Sequence, residues 1–129
     1  MNPITDRMST GCAGELLVQL RLLQFGVQAA PPIEDSGNDL IAVNGREFRA
    51  VSVRTTTTGR YTKPNGDRNY HVLAVVHLHG AGRDLSLDES EVFLIPEEAV
   101  AGLSCSCDQL GEYRLSREQV ERSFGALVD

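Results

Sequence analysis

Residues 39–55 read DLIAVNGREFRAVSVRT, and this stretch decides the fold. Two runs rich in β-branched and apolar residues, 39–43 and 46–55, indicate β-strands. Between them lies Asn44-Gly45, a dipeptide typical of a two-residue hairpin turn. The sequence therefore predicts an antiparallel pair of strands with a tight turn at one end and an open end at the other.

Three polar residues should meet at the open end of this hairpin. Asp39 begins the first strand, and Ser52 and Arg54 lie near the end of the second. Ser52 and Arg54 should share one face, because side chains alternate between the two faces of a strand. A serine and an arginine on a buried strand either have a purely structural role or belong to a functional site.

A helix should precede the hairpin. Ser9 or Thr10 is the expected N-cap, and Gly26 is the expected C-terminal stop. The expected apolar face consists of Cys12, Leu16, Leu17, Leu20, Leu22 and Leu23.

Further strands and two helices complete the predicted fold. The other strands are residues 27–30, 70–79 and 91–95, of which 70–79 is apolar enough for burial on both faces. A short helix should begin at Pro96, and a last helix over 117–124 carries the capping-box pair Ser116 and Gln119. The order predicts an α/β sandwich: a mixed sheet with a leading long helix and C-terminal helices.

The totals of the chain are those of a single globular domain. We expect residues 1–129 to form one domain, because 129 residues suit a single core and 41% of them are hydrophobic. Neither a secretory signal nor an apolar run of membrane-spanning length is present, so we expect a complete cytoplasmic protein with no membrane partner. Three cysteines do not suggest a disulfide framework, so reduced thiols are expected.

Positive charge is concentrated in one segment of an acidic chain. The net charge is −6, yet residues 46–68 carry an excess of four positive charges. This distribution predicts a phosphate-facing surface, although a solvated loop would have the same composition. The candidate nucleic-acid-binding residues are Arg49, Arg54, Arg60, Lys63 and Arg68.

Three short motifs together resemble the PD-(D/E)XK nuclease superfamily. They are GxxGE over 11–15 on the first helix, DLI over 39–41, and VSVRT over 51–55. The likeness is to small members similar to Holliday-junction resolvases and restriction-enzyme cores. It implies a restriction-endonuclease-like α-β-β-β-β sandwich and a Mg²⁺-dependent site.

The resemblance assigns a role to four positions, two of which depart from the family pattern. Asp39 matches the family aspartate and Glu15 the helix acid, which implies Asp39 and Glu15 as metal ligands. Ser52 occupies the Glu/Gln position and supplies no carboxylate for Mg²⁺. Arg54 occupies the lysine position, where its high pKa prevents it from acting as a base, although it can grip a phosphate. The motif is therefore degenerate.

Three functions follow from this pattern. We favour a noncatalytic or weakly active member of the superfamily that binds nucleic acid, DNA above all, or a protein partner. The first alternative is a Mg²⁺-dependent, homodimeric endonuclease that cleaves DNA phosphodiester bonds. The second alternative is an interaction protein with no nucleic-acid role, which the acidic composition permits.

A second metal set is a weaker hypothesis. His77 and His79 would share a strand face, and Cys105 with Cys107 would complete a tetrahedral zinc site. A partly exposed strand end explains the histidines equally well. Cys12, next to a glycine at the start of the helix, is interpreted as a buried cysteine rather than an activated thiol.

Overall fold

A computed structural model describes residues 6–33, 39–64, 69–80 and 82–128. One five-stranded sheet carries helices before and after it, which confirms the predicted order of elements and the mixed α/β class. The elements are α1 (Asp6–Leu23), β1 (Gln28–Ala30), β2 (Leu40–Asn44), β3 (Glu47–Thr56), β4 (Val72–His79), β5 (Ser86–Pro96), α2 (Glu97–Val100) and α3 (Arg117–Phe124). Three 3-10 turns lie at Gly82–Asp84, Cys107–Gln109 and Gly111–Tyr113.

The strands follow one another across the sheet in chain order, β1-β2-β3-β4-β5. Every neighbouring pair is antiparallel except β3 and β4, which run parallel with Val51 opposite Val72 and Thr56 opposite His77. Residues 72–76 of β4 are all buried, as predicted for a strand covered on both faces. The sheet is therefore mixed, with its one parallel pair beside the predicted hairpin.

Each face of the sheet carries its own hydrophobic core. The first core lies under α1 and α3 and includes Leu17, Val18, Leu22, Val51, Val53, Ala74, Val76, Leu94, Val120 and Phe124. The second core lies on the opposite face, under α2 and the segments around it, and consists of Tyr61, Leu73, Val75, Phe93, Ile95, Val100, Cys107 and Leu110. The residues between β3 and β4 thus help to cover the second face.

The N-terminus and the apolar face of α1 differ from the prediction. The helix begins at Asp6, so Ser9 and Thr10 lie within it and are not its N-cap. Leu17, Val18 and Leu22 are buried. Leu16, Leu20 and Leu23, which were assigned to the apolar face, are instead exposed, as is Cys12. The leucine-rich sequence has apolar residues on more than one side of the helix, so periodicity alone did not identify the buried side.

The C-terminus of α1 is where the sequence placed it. Gly26 has a φ of 83°, and its N–H donates to the carbonyl of Leu23 at 2.9 Å. The N–H of Val27 reaches back to the carbonyl of Leu22 at 3.0 Å. These two bonds form a Schellman motif, which requires a residue that tolerates positive φ. Among the described residues, no helix combines the length and hydrophobicity needed to cross a membrane.

Gly14 allows α1 to lie directly against β3. A β-carbon at this position would overlap the side chain of Thr55. The cost of a glycine within a helix, about 1 kcal/mol, is therefore offset by close packing. The same explanation does not apply to Gly11, where a β-carbon would meet nothing within 4 Å.

The hairpin turn is shifted by one residue from the prediction. Asn44 pairs with Glu47 as the last pair of the ladder, so the two-residue loop is Gly45-Arg46. Gly45 has a φ of 61° while Arg46 has a negative φ, the pattern of a type II′ turn. The side-chain amide of Asn44 is then free to donate to the carbonyls of Phe124, Gly125 and Ala126, which fixes the end of α3 to the hairpin.

The C-terminal half also follows the prediction with small changes. β5 begins at Ser86, five residues before the apolar run that predicted it. Pro96 is the N-cap of α2 rather than its first helical residue. Ser116 accepts the N–H of Gln119 at 3.1 Å, which is half of a capping box. The Gln119 side chain instead donates to the buried carbonyl of Leu94 at 2.9 Å and ties α3 to the sheet.

Replacing Gly14 by alanine should destabilise the fold. Gly14→Ala overpacks the contact with Thr55 and should cost about 1–3 kcal/mol of unfolding free energy. Gly11→Ala is the matched control in the same helix, and it should gain up to about 1 kcal/mol from helix propensity. Urea denaturation followed by circular dichroism measures both. Adding Thr55→Ala to Gly14→Ala removes the hydroxyl and the methyl group from the contact but leaves the β-carbon of residue 55 at 2.8 Å, so it should restore part of the lost stability. No restoration at all would contradict the assigned contact.

Candidate functional site

An open cleft lies where the open end of the hairpin meets the first turns of α1. Its volume is about 740 Å³. Hydroxyl and charged groups dominate its lining, which includes Thr10, Glu15, Asp39, Arg54, Thr62 and the four threonines of residues 55–58. The structure thus brings together Glu15, Asp39 and Arg54, which the sequence had singled out on three separate elements.

Asp39 is held across the open end of the hairpin. Its Oδ2 accepts the N–H of Val53 at 2.7 Å and the Ser52 hydroxyl at 3.5 Å. Its own N–H donates to the carbonyl of Val51 at 3.1 Å. The short bond from Val53 is typical of a backbone amide that meets an ionised carboxylate. These bonds fix one carboxylate oxygen and leave the other without a hydrogen bond from the described residues.

Ser52 lies beneath the cleft rather than on its surface. Its exposed fraction is 0%, and in the parallel register it stands opposite Leu73 of the second core. The Ser52 hydroxyl contacts the cleft only through Asp39. In this arrangement Ser52 supports the position of the aspartate and does not present an oxygen to a bound ion.

Glu15 and Asp39 form a pair of neighbouring carboxylates. Burial raises the pKa of Glu15, and the negative charge of Asp39 raises that pKa further. Like charges at close range disfavour the ionised form of a carboxyl group. A divalent cation between the two groups would remove this repulsion, and carboxylate oxygens are the ligands that Mg²⁺ prefers. Glu15 and Asp39 are therefore the described residues of the cleft best suited to hold such an ion.

Arg54 lies on the face of the sheet that carries the second core, opposite α1, and lines the cleft from that side. It stands opposite Val75 of the second core, and its Nε donates to the carbonyl of Thr62 at 3.0 Å. Among the described residues, Arg54 forms no ion pair, and none of them accepts a hydrogen bond from its two terminal nitrogens. A guanidinium held by its Nε keeps the paired donors that suit a phosphate.

The other candidate basic residues are not gathered in the cleft. Arg49 forms an ion pair with Glu47 at 2.9 Å and is an odd number of residues from Arg54, so the two arginines point to opposite faces. Arg60 is exposed on the segment that follows β3, and the Nζ of Lys63 donates to the carbonyl of Ala101 at 3.3 Å. Arg68 lies outside the described residues.

The zinc set predicted from the sequence, two histidines with two cysteines, does not come together, and a different group forms around the histidines. Among the described residues, His77 and His79 gather with Glu91, and the ligand atoms of all three lie within 4.8 Å of one another. Cys105 and Cys107 do not join them. Glu91 was missed because it lies on β5, opposite His77 in the antiparallel register, and only the pairing of strands reveals it. Cys107 is buried, and this burial with the Glu91 and Asp108 carboxylates raises its pKa to about 11.

The order of the elements and the sheet define a nuclease-like α/β fold. A solved structure of a bacterial homing endonuclease, I-Ssp6803I, is similar to this chain with a TM-score of 0.57 and 13% sequence identity. The similarity covers 78% of this chain and 71% of that protein. At this identity the likeness concerns the fold alone. The chain matches no protein-family model and no curated protein.

Asp39 should contribute to stability as well as to the cleft. Asp39→Ala leaves the N–H of Val53 without its acceptor and should cost about 1–3 kcal/mol of unfolding free energy. Asp39→Asn retains an acceptor oxygen and should lose less than half of that amount. Chemical denaturation of the two variants measures the difference. Equal losses for alanine and asparagine would show that the bond to Val53 does not stabilise the hairpin.

Proposed function

We propose that this protein binds the phosphate backbone of nucleic acid, with DNA favoured, in the cleft between α1 and the open end of the hairpin. The site is interpreted as a degenerate PD-(D/E)XK site. The observation that carries this proposal is the position of Arg54, which lines the same cleft as the carboxylates of Glu15 and Asp39 and has no ion pair within the described part of the chain. The nuclease-like fold supports it independently.

The chemistry of the cleft suits a phosphodiester group. Arg54 supplies paired donors for two phosphate oxygens. Thr57 and Thr58 are exposed on the same wall and can add hydroxyl donors, whereas Thr56 is buried and bonds within the loop. Arg60 follows them as an exposed cation without an ion pair to any described residue, and it extends the positive charge along the path of a bound strand. None of these contacts requires a particular base, so binding should depend on the backbone and not on sequence.

A divalent cation would complete this site. Glu15 and Asp39 would hold Mg²⁺ through hard oxygen ligands, and the ion would attract a phosphate into the cleft. The chain offers no third carboxylate at position 52, where the buried serine stands. A guanidinium does not act as a base, so Arg54 cannot accept a proton from an attacking water. Binding with little or no cleavage is the function that this set of residues supports best.

DNA binding should weaken when the cleft loses the charge of Arg54 or the segment after β3 loses the charge of Arg60. Arg54→Gln should raise the dissociation constant about tenfold, since a hydrogen bond to a charged group contributes roughly 1.5–3 kcal/mol. Arg60→Gln should raise it several-fold and lower the slope of log K against log salt concentration by about 1. Fluorescence anisotropy with duplex and branched DNA at several salt concentrations measures these effects.

Arg46→Gln is the matched control for these variants. Arg46 is exposed and lies in the hairpin turn, at the far end of β3 from Arg54, but its substitution changes the net charge by the same amount. Its affinity for DNA should equal that of the wild type. Equal weakening by Arg46→Gln and Arg60→Gln would contradict a localised site, and no binding by the wild type at low salt would contradict the function itself.

The second candidate function is Mg²⁺-dependent cleavage of DNA, and the neighbouring carboxylates of Glu15 and Asp39 favour it. If cleavage survives, wild-type protein should nick supercoiled DNA slowly with Mg²⁺ or Mn²⁺. Asp39→Asn and Glu15→Gln should each abolish nicking because each removes an anionic ligand, while Arg46→Gln should retain it. DNA binding without nicking would leave the noncatalytic function, and nicking that persists in both variants would exclude these two acids as metal ligands.

A further inference from the structure

His77, His79 and Glu91 form a second cluster of metal-ligating side chains, separate from the residues that line the cleft. The two histidines are near the end of β4, and Glu91 lies on β5 directly opposite His77. The imidazole rings are 4.3 Å apart between centroids and inclined by 34°. Nε2 of His79 is 3.7 Å from Oε1 of Glu91. Three potential ligands thus converge from two adjacent strands.

We propose that His77, His79 and Glu91 bind a divalent transition-metal ion of the zinc class. Two imidazoles and one carboxylate are a ligand set that holds zinc while leaving a further position for water or another ligand. Nitrogen ligands favour such ions strongly over Mg²⁺. The site is therefore chemically distinct from the proposed Mg²⁺ position at Glu15 and Asp39.

The pairing of β4 and β5 becomes irregular beside this cluster. The register shifts between His77 and His79, so that His79 pairs with Ser86 rather than continuing the ladder. Both histidines nevertheless remain on the same face, being two residues apart. Zinc bonds of about 2.0–2.1 Å place neighbouring ligand atoms roughly 3.3 Å apart, so ligand atoms that now lie within 4.8 Å of one another need to close by at most about 1.5 Å. Side-chain rotations at a partly exposed strand end can supply that movement.

Arg114 orients the carboxylate of this cluster. Its Nη2 contacts Oε2 of Glu91 at 2.6 Å, and its guanidinium lies 5.9 Å from the ring centroid of Phe93. This ion pair occupies one carboxylate oxygen and turns the other, Oε1, toward His79. Such a partner behind a metal ligand is typical of protein metal sites. Arg114 is therefore a positioning residue for the proposed ion.

The surroundings leave the site accessible. The side chains of His79 and Glu91 are 39% and 28% exposed to solvent. Within the described residues, neither ring nitrogen of His77 has a hydrogen-bond partner. On the inner side, the ring of His77 packs against Gly59, where an added β-carbon would lie 3.3 Å from Cε1. An ion can thus enter from solvent without displacing a buried element.

Metal titration of the full-length protein tests this proposal. Metal-free protein is titrated with Zn²⁺ against a chromophoric chelator and with Co²⁺ followed by absorption. We expect one ion per chain, unaffected by excess Mg²⁺. His77→Ala, His79→Ala and Glu91→Gln should each weaken Zn²⁺ binding at least about tenfold, and Arg114→Gln should weaken it by about the same factor without removing a ligand.

Two controls separate this site from other zinc ligands. His71→Ala removes the third histidine of the chain and should leave the affinity unchanged, as should Cys105→Ser. The Co²⁺ complex should lack a sulfur-to-metal charge-transfer band. Three results would each overturn the proposal: a sulfur-to-metal band, unchanged affinity in the His77→Ala/His79→Ala double variant, and no binding of metal by the wild type.

A measurement on the wild type guards against variants that fail to fold. Paramagnetic Co²⁺ should broaden the imidazole NMR signals of His77 and His79 and spare those of His71. Broadening of all three rings to the same extent would overturn a defined site.

Discussion

The side chain of Thr55 packs against the bare backbone of Gly14, and this contact sets how closely α1 lies on the sheet. Because the helix is held at this distance, the next residue, Glu15, reaches the open end of the hairpin and the carboxylate of Asp39. Thr55 itself belongs to the run of threonines that lines the cleft. One close contact therefore determines both the packing of the first core and the formation of the acidic pair.

The hairpin determines what that acidic pair can do. Asp39 is fixed by the backbone of Val53, a bond that any residue at position 53 other than proline could provide. Ser52 lies beneath it, buried, with a hydroxyl that only supports the aspartate. The cleft therefore holds the neighbouring carboxylates of Glu15 and Asp39, and the residue at position 52 adds no third carboxylate. In the proposed function, Arg54 would hold a phosphate in the same cleft, a role that suits binding better than catalysis.

Local signals in the sequence predicted those parts of the structure that local chemistry determines. Gly26 ended α1, and Ser116 capped α3, because each needs only its neighbours along the chain. The buried side of α1 was not predictable in this way, since Leu16 and Val18 are both apolar and only the sheet decides which is covered. The same holds for Glu91, whose relation to the histidines depends on strand register.

The parallel pairing of β3 and β4 has a consequence for folding kinetics. On either side of it, the antiparallel pairs begin at short connections, with Asn44 and Glu47 three positions apart and His79 and Ser86 seven, whereas the β3–β4 pair joins residues such as Ala50 and His71, 21 positions apart. Closing a longer loop costs more entropy before any contact repays it. We expect the antiparallel strands on each side, β1-β2-β3 and β4-β5, to pair early and the parallel pair of β3 and β4 to form late. The lining residues of the cleft that follow β3, Thr57, Thr58 and Thr62, would then be fixed only at the last step.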